Sequence, residues 1–339
     1  MNILITGVAG FIGNNFCAKL AQSKRNYKII GIDNINSYYS IKLKKSRIAR
    51  INKIKNVKFY KLDLSNRIKL EKLFKKYKFN EVYNFAAQAG VRYSIENPDT
   101  YINSNILGFS NLISLSKKYR VKKFFFASSS SVYGDNKKFP IKEDAHLNPK
   151  SIYGITKKNN EELAEMYNIN YKFKSTALRF FTVFGEWGRP DMFIIKYLIA
   201  AYKNKIFYLN NYGNHLRDFT YIEDVTTGLL KLRQKKQNGF EVFNICSNKP
   251  VSLFKVINLL KFKIPKVKTK LRSMQVADVY KTHGNNIRFI KKTGHKFSLN
   301  FEKSLYKTLE WFKNIREFLF NFINQSLKFF DIFISRKSI

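Results

Sequence analysis

Along the first half of the chain, short runs of apolar and β-branched residues alternate with longer stretches whose apolar positions recur every three or four residues. Runs at 2–6 (NILIT), 28–33 (KIIGID), 57–63 (VKFYKLD), 81–87 (EVYNFAA), 122–129 (KKFFFASS) and 174–181 (KSTALRFF) predict strands. The longer stretches predict helices at 11–22 and near 66–78, 98–119 and 150–170. Strand–helix alternation at this spacing implies right-handed crossovers, so the expected fold class is α/β with a doubly wound parallel sheet. The nearly unbroken apolar character of VKFYKL and KFFFAS predicts strands covered on both faces.

After residue 181 the texture changes. Turn-rich segments such as GEWGRPDM and NNYGNHLRD break the alternation, and no internal repeat is present. This predicts a smaller mixed α/β region over the carboxyl ends of the strands, where open α/β sheets bind ligands. The expected organisation is a sheet domain at 1–181, rejoined by some later segments, a mainly substrate-binding region at 182–316, and an extra aromatic tail at 317–339. Wound as a helix, that tail is apolar over more than half its circumference, and its polar face is mostly amide and hydroxyl. Such a face favours packing against protein over lying on lipid, with peripheral membrane contact as the alternative.

Composition changes this picture little. The 339 residues are 45% hydrophobic and 16% aromatic, which excludes wholesale disorder. The balance of 63 Lys+Arg against 23 Asp+Glu gives a net charge of +40. The run 255–296 alone holds 12 basic residues and a single acid, Asp278. The lysines are otherwise dispersed among Asn, Ile and Phe rather than gathered into a stripe, which argues against a nucleic-acid partner. A phosphate-bearing ligand gains from the same positive field. Cys17 and Cys246 are too few for a disulfide framework and lack metal-site spacing, so a reducing, cytoplasmic setting and no metal are expected. The first residues have no basic n-region or long apolar stretch, and no uncharged apolar run reaches the length of about 18 residues that spans a bilayer.

Three motifs carry chemistry. Gly7-Val8-Ala9-Gly10-Phe11-Ile12-Gly13 lies between the first strand and the first helix, where glycines let backbone approach a pyrophosphate seated on the helix N-terminus. Asp33 ends the second strand, where an acid accepts from a ribose 2′-OH and repels a 2′-phosphate, favouring NAD over NADP. Asp63, near the end of the third strand, either reaches the adenine or simply ends its strand. Tyr153 and Lys157 stand four apart on a predicted helix, hence on one face. An ammonium beside a phenol favours phenolate, so Lys157 is expected to lower the Tyr153 pKa and make it a base. The run Ser128–Ser131 closes the fifth strand, where a hydroxyl can hold a substrate oxygen beside that phenol.

With these residues in register, the chain resembles the extended short-chain dehydrogenase/reductase family, whose fold is a Rossmann-type sheet. The stretches IDNINSYYSIKLKKSRI, AAQAGVRYSIENPDTYINSN, ASSSSVYGDNKKFP, ALRFFTVFGEWGRPDM and NYGNHLRDFTYIEDV look like those of UDP-glucuronate 4-epimerases, over about residues 1–315. The resemblance implies a bound NAD contacted by Gly7, Gly10, Phe11, Ile12, Gly13, Asp33, Asp63, Ala86, Tyr153, Lys157 and Phe181. It implies catalysis by Tyr153, Lys157 and Ser129 through a transient 4-keto sugar. Ser129 matches the residue that bonds O4, and Thr182 one near the substrate diphosphate. Arg217 and Asp278 match contacts to uridine diphosphate. Arg189 is the candidate for the sugar carboxylate, against a plain surface-turn role, and Arg92 and Ser94 are either pocket or loop residues. A UDP-sugar substrate and a homodimer built on the helices near 98–119 and 150–170 are also implied. Related epimerases of neutral or N-acetylated sugars are the alternative. A 4,6-dehydratase fits less well, because Ser129, Ser130 and Ser131 stand where that chemistry has a Thr-Asp-Glu set. The sequence also departs from the family pattern at Gln275-Val276-Ala277-Asp278, where Pro-Gly usually precedes the Asp.

Overall fold

The computed structural model describes residues 1–323 apart from 24–25, 266, 276–277 and 299. Its strands are β1 (Asn2–Thr6), β2 (Lys28–Asp33), β3 (Val57–Lys61), β4 (Glu81–Asn84), β5 (Lys123–Ser129), β6 (Ser175–Phe180), β7 (Thr182–Phe184), β8 (Phe207–Leu209), β9 (Leu216–Tyr221), β10 (Phe240–Ile245), β11 (Pro250–Ser252) and β12 (Thr269–Leu271). Seven of them form one sheet in the order β10-β6-β5-β4-β1-β2-β3, and every neighbouring pair is parallel. The direction of winding reverses between β1 and β4, which places a crevice at their carboxyl ends. Strands β11, β9 and β7 make a small second sheet, and β12 and β8 a two-stranded one.

Helices cover both faces, as the two-residue period of the strands requires. Ile3 and Ile5 of β1 enter one apolar core with Phe16 and Leu20 of α1 (Phe11–Ser23), whereas Leu4 enters the opposite core with Leu70 of α3 (Arg67–Tyr77). Between these helices lies α2 (Ile41–Asn52), which the sequence periodicity does not announce. Its N-cap is Ser40, whose side chain accepts from the Leu43 amide.

One sequence expectation about the elements needs correction. The strand at 57–61 is not covered on both faces: it is the sheet edge, with Lys58 and Lys61 exposed. Charged side chains there keep an open edge from pairing with another chain. The expected helix at 98–119 is present and runs unbroken through α5 (Pro98–Tyr101), a π-helical turn at Ile102–Leu107 and α6 (Gly108–Lys118), with the short α4 (Tyr93–Glu96) before it. The remaining helices are α7 (Ile152–Tyr171), α8 (Phe193–Tyr202), α9 (Ile222–Arg233), α10 (Leu253–Lys263), α11 (Ile287–Thr293) and α12 (Phe301–Ile323). The expected packing of the 317–339 tail falls outside the described side chains. Among the described residues, no helix is long and apolar enough to cross a membrane.

Candidate active site

A cavity of about 660 Å³ opens at the carboxyl ends of β1, β4 and β5. At its floor the glycine loop joins β1 to α1. Gly7 has φ +71°, and a Cβ there would lie 2.6 Å from the Ala86 amide nitrogen. A Cβ on Gly13 would lie 2.3 Å from the Gly7 carbonyl oxygen. The loop is therefore closed against β4 and against itself, leaving its outer surface free to take a pyrophosphate at the start of α1.

Asp33 follows, its carboxylate accepting from the Ala9 amide at 3.1 Å and the Ile35 amide at 2.8 Å. Burial raises its pKa, with the Lys44 ammonium opposing. Lys44 donates to the Asn36 carbonyl at 2.8 Å, and burial draws its own pKa down to about 8. Asp63 accepts from Asn34 at 2.7 Å and from the amide and hydroxyl of Ser65. Burial pushes its pKa up, but the hydrogen bonds from Asn34 and Ser65 outweigh it and the carboxyl titrates lower than usual. This donor set fits an adenosine dinucleotide: a cradle too tight for any Cβ, then two carboxylates aimed along the same crevice.

At the other end, α7 is capped by Ser151, which accepts from the Gly154 amide at 3.0 Å. The cap aims Tyr153 and Lys157 at the end of β5. The Ser129 hydroxyl lies close enough to the Tyr153 phenol to favour its ionised form, and the Tyr153 ring meets Tyr101 edge-on. Here the direction expected from sequence is overturned. Burial raises the Tyr153 pKa, while Ser129 and the charge of Arg189 only oppose that rise. Lys157 does not reach the phenol oxygen. Its Nζ donates to the Ala127 carbonyl at 2.8 Å and lies 5.8 Å from the Tyr153 ring centroid. Burial lowers the Lys157 pKa to about 8, and the Glu161 carboxylate works against that.

Glu161 was not singled out from sequence, although it continues the stripe of Tyr153 and Lys157 by one more turn. It takes a bidentate pair of bonds from Arg179, at 2.9 and 2.6 Å, and a short bond from Ser128, all buried. Asn105 was also missed. In the π-helical turn its side chain accepts from the Gln88 amide at 2.7 Å, and donates to the Gln88 carbonyl and to Thr156. A π-turn inside an apolar helix leaves no periodic signal, but it often marks a functional site.

The remaining candidates line the same cavity. Phe181 and Thr182 follow β6, and Arg189 faces them from the turn after β7. Arg189 donates from Nε to Asp191 at 3.0 Å and from Nη2 by a short bond, and Tyr38 donates to the same carboxylate. Two of its three nitrogens are thus held by Asp191, so it is an anchored cation rather than a free surface arginine. Arg217 donates to the Tyr280 carbonyl at 2.9 Å, and Arg92 pairs with Asp278 at 2.7 Å. His215, a further cavity residue missed from sequence, is buried there. Its pKa is pushed down to about 4 by burial and then by Arg217. Ser94 lies outside the cavity lining, its hydroxyl turned to the Val91 carbonyl. Val276 and Ala277 fall outside the described residues.

Comparison with known proteins places this geometry among relatives. The NAD dependent epimerase/dehydratase family matches residues 3–246. A UDP-glucuronate 4-epimerase of Thermodesulfobacterium geofontis is 36% identical, covering 91% of this chain and 95% of its own. UDP-glucuronate 4-epimerase 2 of Arabidopsis thaliana is 38% identical, covering 92% and 76%. Among solved structures, the UDP-glucuronic acid 4-epimerase of Bacillus cereus in complex with UDP-glucuronic acid and NAD aligns with a TM-score of 0.87 at 28% identity. That alignment covers 93% of this chain and all of the other.

Proposed function

The chain belongs to the NAD dependent epimerase/dehydratase family, and from that premise we propose that it is a UDP-glucuronate 4-epimerase. It inverts C4 of the UDP-linked uronate to give UDP-galacturonate. One observation carries the uronate reading: Arg189 is anchored in the same cavity as Tyr153, near enough for its charge to act on the phenol. On a uronate the carboxylate is borne by C5, the neighbour of the reacting C4. A cation placed there complements the acid sugar, whereas a neutral hydroxymethyl group gains nothing from it.

Gly7, Gly10, Phe11, Ile12, Gly13, Asp33, Asp63 and Ala86 hold the adenosine and pyrophosphate of NAD, and Phe181 flanks its nicotinamide. When bound, NAD supplies a reversible hydride acceptor for C4 and a positive charge that draws the phenol toward ionisation. Tyr153 takes the proton of the 4-OH and returns it, and Ser129 holds that oxygen in place. The Lys157 ammonium, fixed on the Ala127 carbonyl, steadies the phenolate. Nη1 of Arg189, not taken by Asp191, pairs with the carboxylate. Thr182, Arg217, Asp278 and Arg92 hold the uridine diphosphate. Residues 1–181 with β10 form the cofactor half and 182–316 the substrate half. The enzyme works as a cytoplasmic homodimer and supplies an acidic precursor for surface polysaccharide.

The test is direct. Purified protein given UDP-glucuronate without added NAD is expected to yield UDP-galacturonate, resolved by chromatography. Tyr153→Phe is expected to abolish this while keeping its bound NAD, because it removes the base and little volume. Near-normal turnover by that variant would overturn the assignment.

A further inference from the structure

Arg47 of α2 is completely buried, yet it hydrogen-bonds no carboxylate among the described residues, although its charge acts on nearby Asp33. A buried guanidinium is costly unless its donors are satisfied. Nε has no partner among the described residues, so the bonds of the two terminal nitrogens show what the group holds. Nη1 donates to the Ala9 carbonyl of the glycine loop at 2.9 Å and to the Tyr39 hydroxyl at 2.6 Å. Nη2 donates to the carbonyls of Trp187 at 2.6 Å and Gly188 at 3.1 Å. One planar group therefore joins the cofactor loop to the turn that ends in Arg189.

That turn needs holding. Trp187 has φ +61°, a left-handed conformation that a bulky residue adopts only under constraint. Its ring is covered by Arg50, the next basic residue of α2 on that side, at 5.4 Å. The preceding carbonyl, that of Glu186, accepts from Asn15 of α1 at 3.1 Å. Three consecutive carbonyls, of Glu186, Trp187 and Gly188, are thus fixed by side chains from the two helices that flank the glycine loop. Next along the chain is Arg189.

We propose that Arg47 is a positioning residue for uronate specificity: it locks the Trp187–Gly188 turn to the glycine loop and so holds Arg189 in register with the cofactor. This rests on the assignment of Arg189 to the sugar carboxylate. A fork is required, since a lysine ammonium keeps the charge but cannot span carbonyls on both sides.

The discriminating measurement is the ratio of Kd for UDP-glucose to Kd for UDP-glucuronate, by calorimetry on the NAD-loaded enzyme. The two ligands share the nucleotide, so the ratio isolates the carboxylate. Arg47→Lys and Arg47→Met are each expected to reduce the wild-type preference for the uronate about tenfold, the effect of one charge-assisted hydrogen bond. UDP-glucose affinity should stay within about twofold, and bound NAD per chain should be unchanged. An unchanged ratio in Arg47→Lys overturns the proposal. So does a parallel loss for both ligands, or a Lys variant that fails to fold, since either assigns Arg47 to core stability. Arg189→Ala separates the two levels. If it collapses the ratio while Arg47→Lys does not, only the positioning role falls. If it leaves the ratio unchanged, the carboxylate assignment falls and takes the positioning role with it.

Discussion

Lys157 is charged below about pH 8 and neutral above it, because burial lowers its ammonium from the ordinary lysine value. Tyr153 moves the other way, since burial raises it and makes phenolate harder to reach. In the mechanism proposed above the phenolate is steadied by the Lys157 ammonium, so kcat/KM should decline as pH rises through about 8 and Lys157 loses its proton. Lys157→Arg, where it keeps activity, should move that limb upward because a guanidinium stays protonated. A pH–rate profile in which both enzymes fall together would remove Lys157 from this role. At this scale the four-residue spacing puts Tyr153 and Lys157 on one helix face, and the family resemblance adds Ser129. Arg189 stands as a candidate against a surface-turn role, and all four line one cavity. The direction of the Tyr153 shift was not legible. It depends on desolvation, and on Lys157 being engaged by the Ala127 carbonyl, neither of which is written in a four-residue spacing. Glu161 was within reach of the same helical stripe. Its pairing with Arg179 of β6 was not, because 18 residues and a loop separate them.

In the proposed cofactor site the β1–loop–α1 unit bears the pyrophosphate. Gly13→Ala would drive a Cβ to 2.3 Å from the Gly7 carbonyl oxygen, and because that contact is backbone no flexible side chain can simply move aside. The loop must open, and the pyrophosphate loses its amide donors at the head of α1. Purified Gly13→Ala is expected to carry less than about a tenth of the wild-type NAD, measured after acid release. Retention of full NAD would show that the loop is not the pyrophosphate cradle. The central strands and α1 were readable because they are uniformly apolar or strictly periodic. Helix α2 escaped notice because its buried side is not apolar throughout. Lys44, Ser46 and Arg47 are buried beside Leu43, Ile48 and Ile51, so polar anchors replace part of the stripe that marks a helix. The same polarity is what lets α2 reach the cofactor loop and the Trp187 turn. The unpredicted element and the positioning residue are thus one feature.

For the whole molecule, the question is what covers the apolar side of α5–α7. Ile102 and Leu107 are 45% exposed, and on α7 Ile155, Met166 and Ile169 are 53%, 45% and 50% exposed. Positions 155, 162, 166 and 169 fall on one side of α7; Glu162 is the only charge among them. Tyr101, Leu112, Ile113 and Leu115 face inward, so the surplus of apolar residues on this segment divides between core and surface. Exposed apolar residues on successive turns, with the Lys158–Glu162 pair between Ile155 and Met166, fit an interface with a second copy. Opposing it is the charge, since each subunit carries +40 and like charges repel across a shared face. The two effects differ in their response to salt: screening weakens the repulsion and leaves apolar burial intact. Sedimentation should therefore show a dimer at micromolar concentration whose dissociation constant falls as salt is raised from low to physiological strength. Met166→Lys, which puts a cation on that apolar side, should give a monomer that still binds NAD, because Met166 does not line the cavity that Tyr153 and Lys157 of the same helix enter. A wild-type monomer at every salt concentration, or a Met166→Lys protein that remains dimeric, would place the interface elsewhere or remove it.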